Sequence, residues 1–147
     1  THSFLDTKGN RIVSERYQLT PRNWAQAVWD KLIYPSKNIC MVLCGHTGSA
    51  PKIDNAETID YTPTSSIRTD KAADGRNIVQ MMFNSQQGDG DWNGNGGDGW
   101  LRILEFKPDG KTIGVRTFSP LFAISKRTQH MAWRTADYDQ FEITIDK

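Results

Sequence analysis

Little in this sequence is extreme, and each thing it lacks narrows the reading. It has no excess of charge: 18 Lys and Arg stand against 17 Asp and Glu, a formal net charge of +1. That near-balance, without an array of interleaved aromatic and basic residues, argues against nucleic acid as a partner. No apolar run nears the roughly 18–20 residues that a membrane helix takes. No secretory h-region opens the chain, so no membrane partner is expected. No heptad or internal repeat is found. The first residue is Thr1 rather than Met, so a processed product or a fragment is expected. The 147 residues suffice for a single domain or a partial one, long enough to bury about 68–70% of the unfolded surface.

Cysteine is scarce too. Cys40 and Cys44 are the only two, both inside the apolar run Ile39 to Cys44. On an extended strand, residues four apart share a face but lie about 13 Å apart. A disulfide needs Cα atoms within about 7 Å. The pair is therefore read as two buried free thiols, and Cys-x3-Cys on a strand does not converge on one zinc ion. Free thiols permit the cytoplasm without excluding export, so composition assigns no compartment.

What is present reads as one helix followed by strands. A turn-like polar run spans Asp6 to Asn10. Thr20-Pro21 has the chemistry of a helix start, a capping hydroxyl followed by a residue whose missing N–H is not needed there. Trp24, Val28 and Leu32 then recur at four-residue spacing, which predicts a helix over 23–33 with that stripe facing the core. Ile39 to Cys44 has no polar alternation and predicts a strand buried on both faces. Residues 50–76 read as mostly loop, with a short strand near Ile67. Asn77 to Asn84 reads as a strand, and Trp100 to Phe106 with Thr112 to Phe118 as a hairpin turning at Pro108-Asp109-Gly110. Residues 121–140 look irregular. Phe141 to Ile145 alternates as a half-buried strand. The expected class is α+β, a β-rich mixed sheet with one main helix.

Two segments carry chemistry. The first is the Gly/Asp/Trp loop at 88–100. Asp89-Gly90-Asp91-Trp92-Asn93-Gly94 opens like an EF-hand calcium loop, but position twelve is Trp100 rather than a bidentate Glu. Gly96-Gly97-Asp98-Gly99 opens like a calcium β-roll repeat, but Leu101 stands where the Asp is needed. The loop is read as a hairpin connection. Its alternative role is in a non-catalytic β-rich binding module for carbohydrate or peptide, with Trp92 as a stacking residue. The second segment is Gly45-His46-Thr47-Gly48, which closes an apolar strand. Ligands collect at such strand ends in open α/β sheets, and glycine lets backbone approach an ion or phosphate. His130, in the basic stretch Ser125 to His130, is read as part of a solvated loop.

The order of several segments is distinctive: Thr1 to Leu5, the Trp-bearing helix, Asn38-Ile39 through Gly45-His46, Asn77 through Gln87, and Gly96-Gly97-Asp98-Gly99-Trp100-Leu101-Arg102. That order, over most of residues 1–119, resembles the carboxyl-terminal half of calcineurin-like metallophosphoesterases. The hairpin after Trp100, through Thr117-Phe118-Ser119-Pro120, is similar to a bacterial branch of the family. The resemblance implies the matching half of an αββα sandwich, with two divalent metal ions held by loops at strand ends. It implies His2 as the metal-binding His that closes an early strand. It implies His46 as the first His of a Gly-His-x-His signature. Where the second His of that signature belongs, this sequence has Gly48. The family's Asp-x-His, bridging Asp and catalytic Asn-His pair lie upstream of the position that His2 resembles. None of these motifs occurs within the 147 residues. Phosphoester chemistry takes two ions about 3.5–4 Å apart, and two imidazoles do not hold them. The expectation is a chain that is inactive alone and binds at most one ion, weakly. Its partners would be the phosphoester substrate of the complete enzyme and either the missing amino-terminal half or a second copy of the chain. Such a partner would cover the exposed strand edge or apolar face that half a sandwich leaves open.

Overall fold

A computed structural model of the chain describes residues 1–14, 20–47, 64–85 and 97–146. The class is α+β and strand-rich. In chain order the described elements are α1 (Ala25–Val28, continued by a π-helical turn Trp29–Ile33), β1 (Met41–Cys44), β2 (Thr64–Lys71), β3 (Asn77–Asn84), β4 (Leu101–Phe106), β5 (Thr112–Phe118), α2 (Pro120–Ala123), a 3-10 turn (Gln129–Met131), β6 (Trp133–Arg134) and β7 (Phe141–Thr144). The fold divides into two compact units. One comprises Thr1–Thr47, Ser65–Phe83 and Thr144–Lys147, and the other Gly48–Thr64 and Asn84–Ile143.

The first unit holds a three-stranded sheet in the order β1-β3-β2. β1 and β3 are parallel, with Met41 opposite Val79 and Cys44 opposite Met82. β3 is the strand buried on both faces: Ile78, Val79, Met81 and Met82 are all buried. The expectation that β1 has this character is therefore corrected. Its Val42 is buried but Leu43 is 43% exposed, and among the described strands β1 pairs with β3 alone. Of the stretch 50–76, read as mostly loop with a short strand near Ile67, residues 50–63 lie outside the described residues, and the strand around Ile67 is present, longer than expected. β2 runs for eight residues and leads into β3 through a turn closed by the Ala72 N–H on the Arg76 carbonyl, 2.8 Å. The polar run Asp6 to Asn10 is a turn, as its composition suggests. Asp6 Oδ1 accepts from the N–H groups of Lys8 and Asn10 at 2.8 Å each.

The helix is displaced from its expected frame. Its cap is Trp24, with no side-chain bond, rather than Thr20. The Ala25 N–H is instead satisfied by the Ile12 carbonyl at 3.1 Å, a partner from a distant segment. The Thr20-Pro21 bond is cis. The stripe that reaches the core is Ala25, Trp29 and Ile33, while Leu32 is exposed. These pack with Phe4, Leu5, Ile12, Val42, Ile78 and Met82. One polar cluster is set into this apolar unit. Gln80 is fully buried, and its Nε2 donates to Asp70 Oδ2 at 2.8 Å. Arg11 donates to Gln80 Oε1 at 3.1 Å and to Asp70 at 2.6 Å, with its guanidinium 3.8 Å from the Trp29 ring centre. Arg68 grips both oxygens of the same carboxylate, at 2.6 and 2.9 Å.

The second unit is built on the β4–β5 hairpin, antiparallel with Leu101 opposite Phe118 and Phe106 opposite Ile113. β6 and β7 both pair with β5. The turn is closed by the Gly110 N–H on the Lys107 carbonyl at 3.0 Å, with Gly110 at φ 68°. Residues 121–140 are more regular than their sequence suggests. They include α2, capped by Ser119 Oγ accepting from the Phe122 N–H at 3.1 Å, and β6. A fully buried carboxylate of this unit, Asp139, accepts from Arg134 Nε at 2.9 Å and lies 3.6 Å from Arg102 Nη2. Burial pushes the Arg102 guanidinium down to about 10, although the Asp139 carboxylate works against it.

Candidate metal centre

The two histidines singled out in the sequence meet in space. β1 ends at Cys44, and the chain's first residues run beside that end. The Thr1 ammonium donates to the Leu43 carbonyl at 2.7 Å, and the Gly45 N–H donates to the His2 carbonyl at 3.0 Å. Those two bonds place His2 level with the residues that follow the strand. Gly45 belongs there for a steric reason, since a Cβ at that position would sit 3.0 Å from the Phe83 carbonyl oxygen. The chain then turns at His46, whose φ of 62° is left-handed. A non-glycine residue rarely adopts that conformation, though His does so more than most. The outcome is a stacked pair of imidazoles, centroids 4.0 Å apart and planes inclined by 28°. Ser3 Oγ lies 3.4 Å from His2 Nδ1, and Thr47 Oγ1 donates to the Gly45 carbonyl at 3.3 Å. Both rings reach solvent.

Imidazole nitrogen is a good ligand for zinc, nickel and copper. A closed zinc site takes four ligands and a catalytic one at least three from protein. Among the described residues, no group of three or more His, Cys, Asp or Glu is brought together. The nearest thiol by sequence, Cys44, is half-buried and donates toward the Met81 carbonyl at 3.6 Å. Burial pushes its pKa up, which disfavours the thiolate form. Both cysteines are free and half-buried, rather than fully buried as expected. The donor set therefore fits one divalent ion in part and does not fit two.

Gly48 lies outside the described residues, as does most of the Gly/Asp/Trp loop, including Trp92. Its described end, Gly97-Asp98-Gly99, is left-handed throughout, with φ of 78°, 54° and 66°. The Asp98 carbonyl accepts from Ser119 Oγ. His130 sits exposed in the 3-10 turn Gln129–Met131. Sequence reasoning missed the bonds that bring the histidines together, Thr1 to the Leu43 carbonyl and the Gly45 N–H to the His2 carbonyl, as well as Ser3 beside the His2 ring. The weak signal was the adjacency of Thr1 and Ser3 to His2.

No protein-family model matches this chain, and no solved structure matches it. A curated relative is the uncharacterized protein YvnB of Bacillus subtilis (strain 168), 24% identical over 148 residues. The match covers 99% of this chain but 9% of that protein, so the chain spans about a tenth of its relative's length.

Proposed function

We propose that this chain is the carboxyl-terminal portion of a metal-dependent phosphoesterase, a hydrolase of phosphate mono- or diesters, and that it is inactive by itself. The observation that carries this reading is the stacked His2–His46 pair at the carboxyl end of a parallel strand. The family resemblance expects metal ligands at both positions, and the fold draws together residues that stand far apart in the chain.

His2 and His46 would hold one divalent ion through ring nitrogens, with Ser3 Oγ beside His2 Nδ1 positioned to restrain that ring. When bound, such an ion polarises a phosphoryl oxygen and lowers the pKa of a coordinated water from 15.7 to about 7. Carboxylates that bridge and neutralise a second ion come from outside this chain. Gly48 in place of a second imidazole removes one ligand from that second ion.

Calorimetric titration with zinc and with nickel tests the reading. The expected result is weak binding that disappears in His2→Ala and in His46→Ala. No turnover of bis(p-nitrophenyl) phosphate is expected from this chain alone, with turnover appearing in a longer protein that supplies the remaining ligands. Unchanged metal binding in both variants, or robust turnover by the isolated chain, overturns it.

A further inference from the structure

A groove of about 410 Å³ lies on the open face of the β4–β5–β7 sheet, in the second unit and independent of the histidine pair. Its size is within the range of small-ligand sites. The depth comes from Gly114. It stands directly opposite Glu105, and a Cβ there would meet Lys107 Cε at 3.5 Å and Glu105 Oε2 at 3.7 Å. The rim is charged but balanced. Lys107 and Arg116 share the Glu105 carboxylate at 3.0 and 3.5 Å, and Glu142 supplies the second negative charge. Two cations and two carboxylates cancel, so the groove has no electrostatic preference for an anion or a cation. Val115 and Phe141 are the apolar residues of its lining, a minority among charged and polar groups.

One flat apolar surface adjoins this polar rim. Trp133 is 45% exposed, held against Phe118 at a centroid distance of 4.4 Å. The Arg116 guanidinium lies 5.3 Å from its ring centre, which connects the aromatic platform to the groove. Such an exposed indole beside clustered donors and acceptors matches a ligand with one apolar face and a rim of hydroxyls. Carboxylate, guanidinium and the Gln140 amide together offer both donors and acceptors to those hydroxyls. We infer that this face binds an uncharged saccharide, its ring stacked on Trp133 and its hydroxyls bonded by Arg116, Glu142 and Gln140.

The full chain is titrated with cellotriose, chitotriose and maltotriose, and followed by tryptophan fluorescence and amide NMR. At least one is expected to bind saturably, shifting the Trp133 indole N–H and the amides of Gly114 and Gln140. Trp133→Ala is expected to weaken that binding at least tenfold. Glu142→Gln, at an exposed position, is expected to weaken it several-fold with no change in thermal midpoint. The inference is overturned if none of the three sugars gives saturable shifts, if the shifts map away from this face, or if Trp133→Ala binds as tightly as the parent.

Discussion

The imidazoles of His2 and His46 stack 4.0 Å apart, and His46 holds its place from a left-handed backbone at φ 62°. An L-residue in this conformation costs about 1–2 kcal/mol.

That account separates two substitutions at one position. His46→Gly removes the ring and the strain together, and is expected to be more stable than the parent by roughly 1 kcal/mol while losing metal binding. His46→Ala removes the ring and keeps the strain. Urea unfolding of both variants compares them directly, and equal midpoints would dispose of the strain argument.

Asp70 is expected to dominate the polar cluster of the first unit. The bonds from Arg68 hold its carboxyl below the usual range against the effect of burial, with Gln80 and Arg11 adding to the depression. Asp70→Asn leaves the buried Gln80 amide and Arg11 with a poorer acceptor, at a cost of about 1–3 kcal/mol. A carboxyl depressed in the folded state contributes stability that is complete above its unfolded pKa of about 3.9. That contribution is lost as the pH falls through the folded value. The gap between parent and variant should therefore narrow in acid. A gap that stays constant from pH 7 down to pH 2 would contradict the argument.

Asp109 gives a second titration, local to the hairpin. Thr112 Oγ1 donates to its carboxylate at 2.6 Å, and the N–H groups of Thr112 and Lys111 donate to Oδ1 at 2.8 Å each. Together, the Thr112 hydroxyl first, they hold the carboxyl down to about 2. Its contribution to the turn is complete above about pH 4 and declines as the pH falls toward 2. An NMR titration of the Asp109 carboxyl should show a midpoint near 2. In Thr112→Val the midpoint should move up, and an unmoved one would assign the depression to something other than the hydroxyl.

Two glycines with positive φ allow space and backbone strain to be told apart. Gly75, at φ 86°, would place a Cβ in open space, whereas a Cβ on Gly97, at φ 78°, would lie 2.2 Å from the Ser85 carbonyl oxygen. Gly75→Ala should cost about 1 kcal/mol, from backbone conformation alone. Gly97→Ala should cost about 2–4 kcal/mol, because overpacking adds to the same term. Thermal unfolding of both variants measures the difference. Equal losses would mean that the close approach to Ser85 relaxes without cost.

How far the sequence could be read depended on how local each determinant was. The β4–β5 hairpin was legible to within one residue because Pro108, Asp109 and Gly110 specify their turn with bonds inside the turn. β3 was legible from its apolar run. The helix face was misread by one position, since four-residue spacing fits Trp24, Val28 and Leu32 as well as Ala25, Trp29 and Ile33. The choice between them was made by Ile12, whose carbonyl receives the Ala25 N–H. The candidate site was half legible. His2 and His46 could be named from the family resemblance, but the bonds that align them, Thr1 to Leu43 and Gly45 to His2, leave no local pattern.

By itself, then, the amino-acid sequence determined the α+β class, the hairpin and the existence of an apolar strand at 77–84, because turn propensity and apolar periodicity act over a few residues. Tertiary structure alone decided which helix stripe is buried, that β3 rather than β1 is enclosed on both sides, that Arg11, Arg68 and Gln80 converge on Asp70, and that two distant imidazoles lie face to face. Each of those depends on groups brought together by chain closure, whose energy no short window of sequence contains.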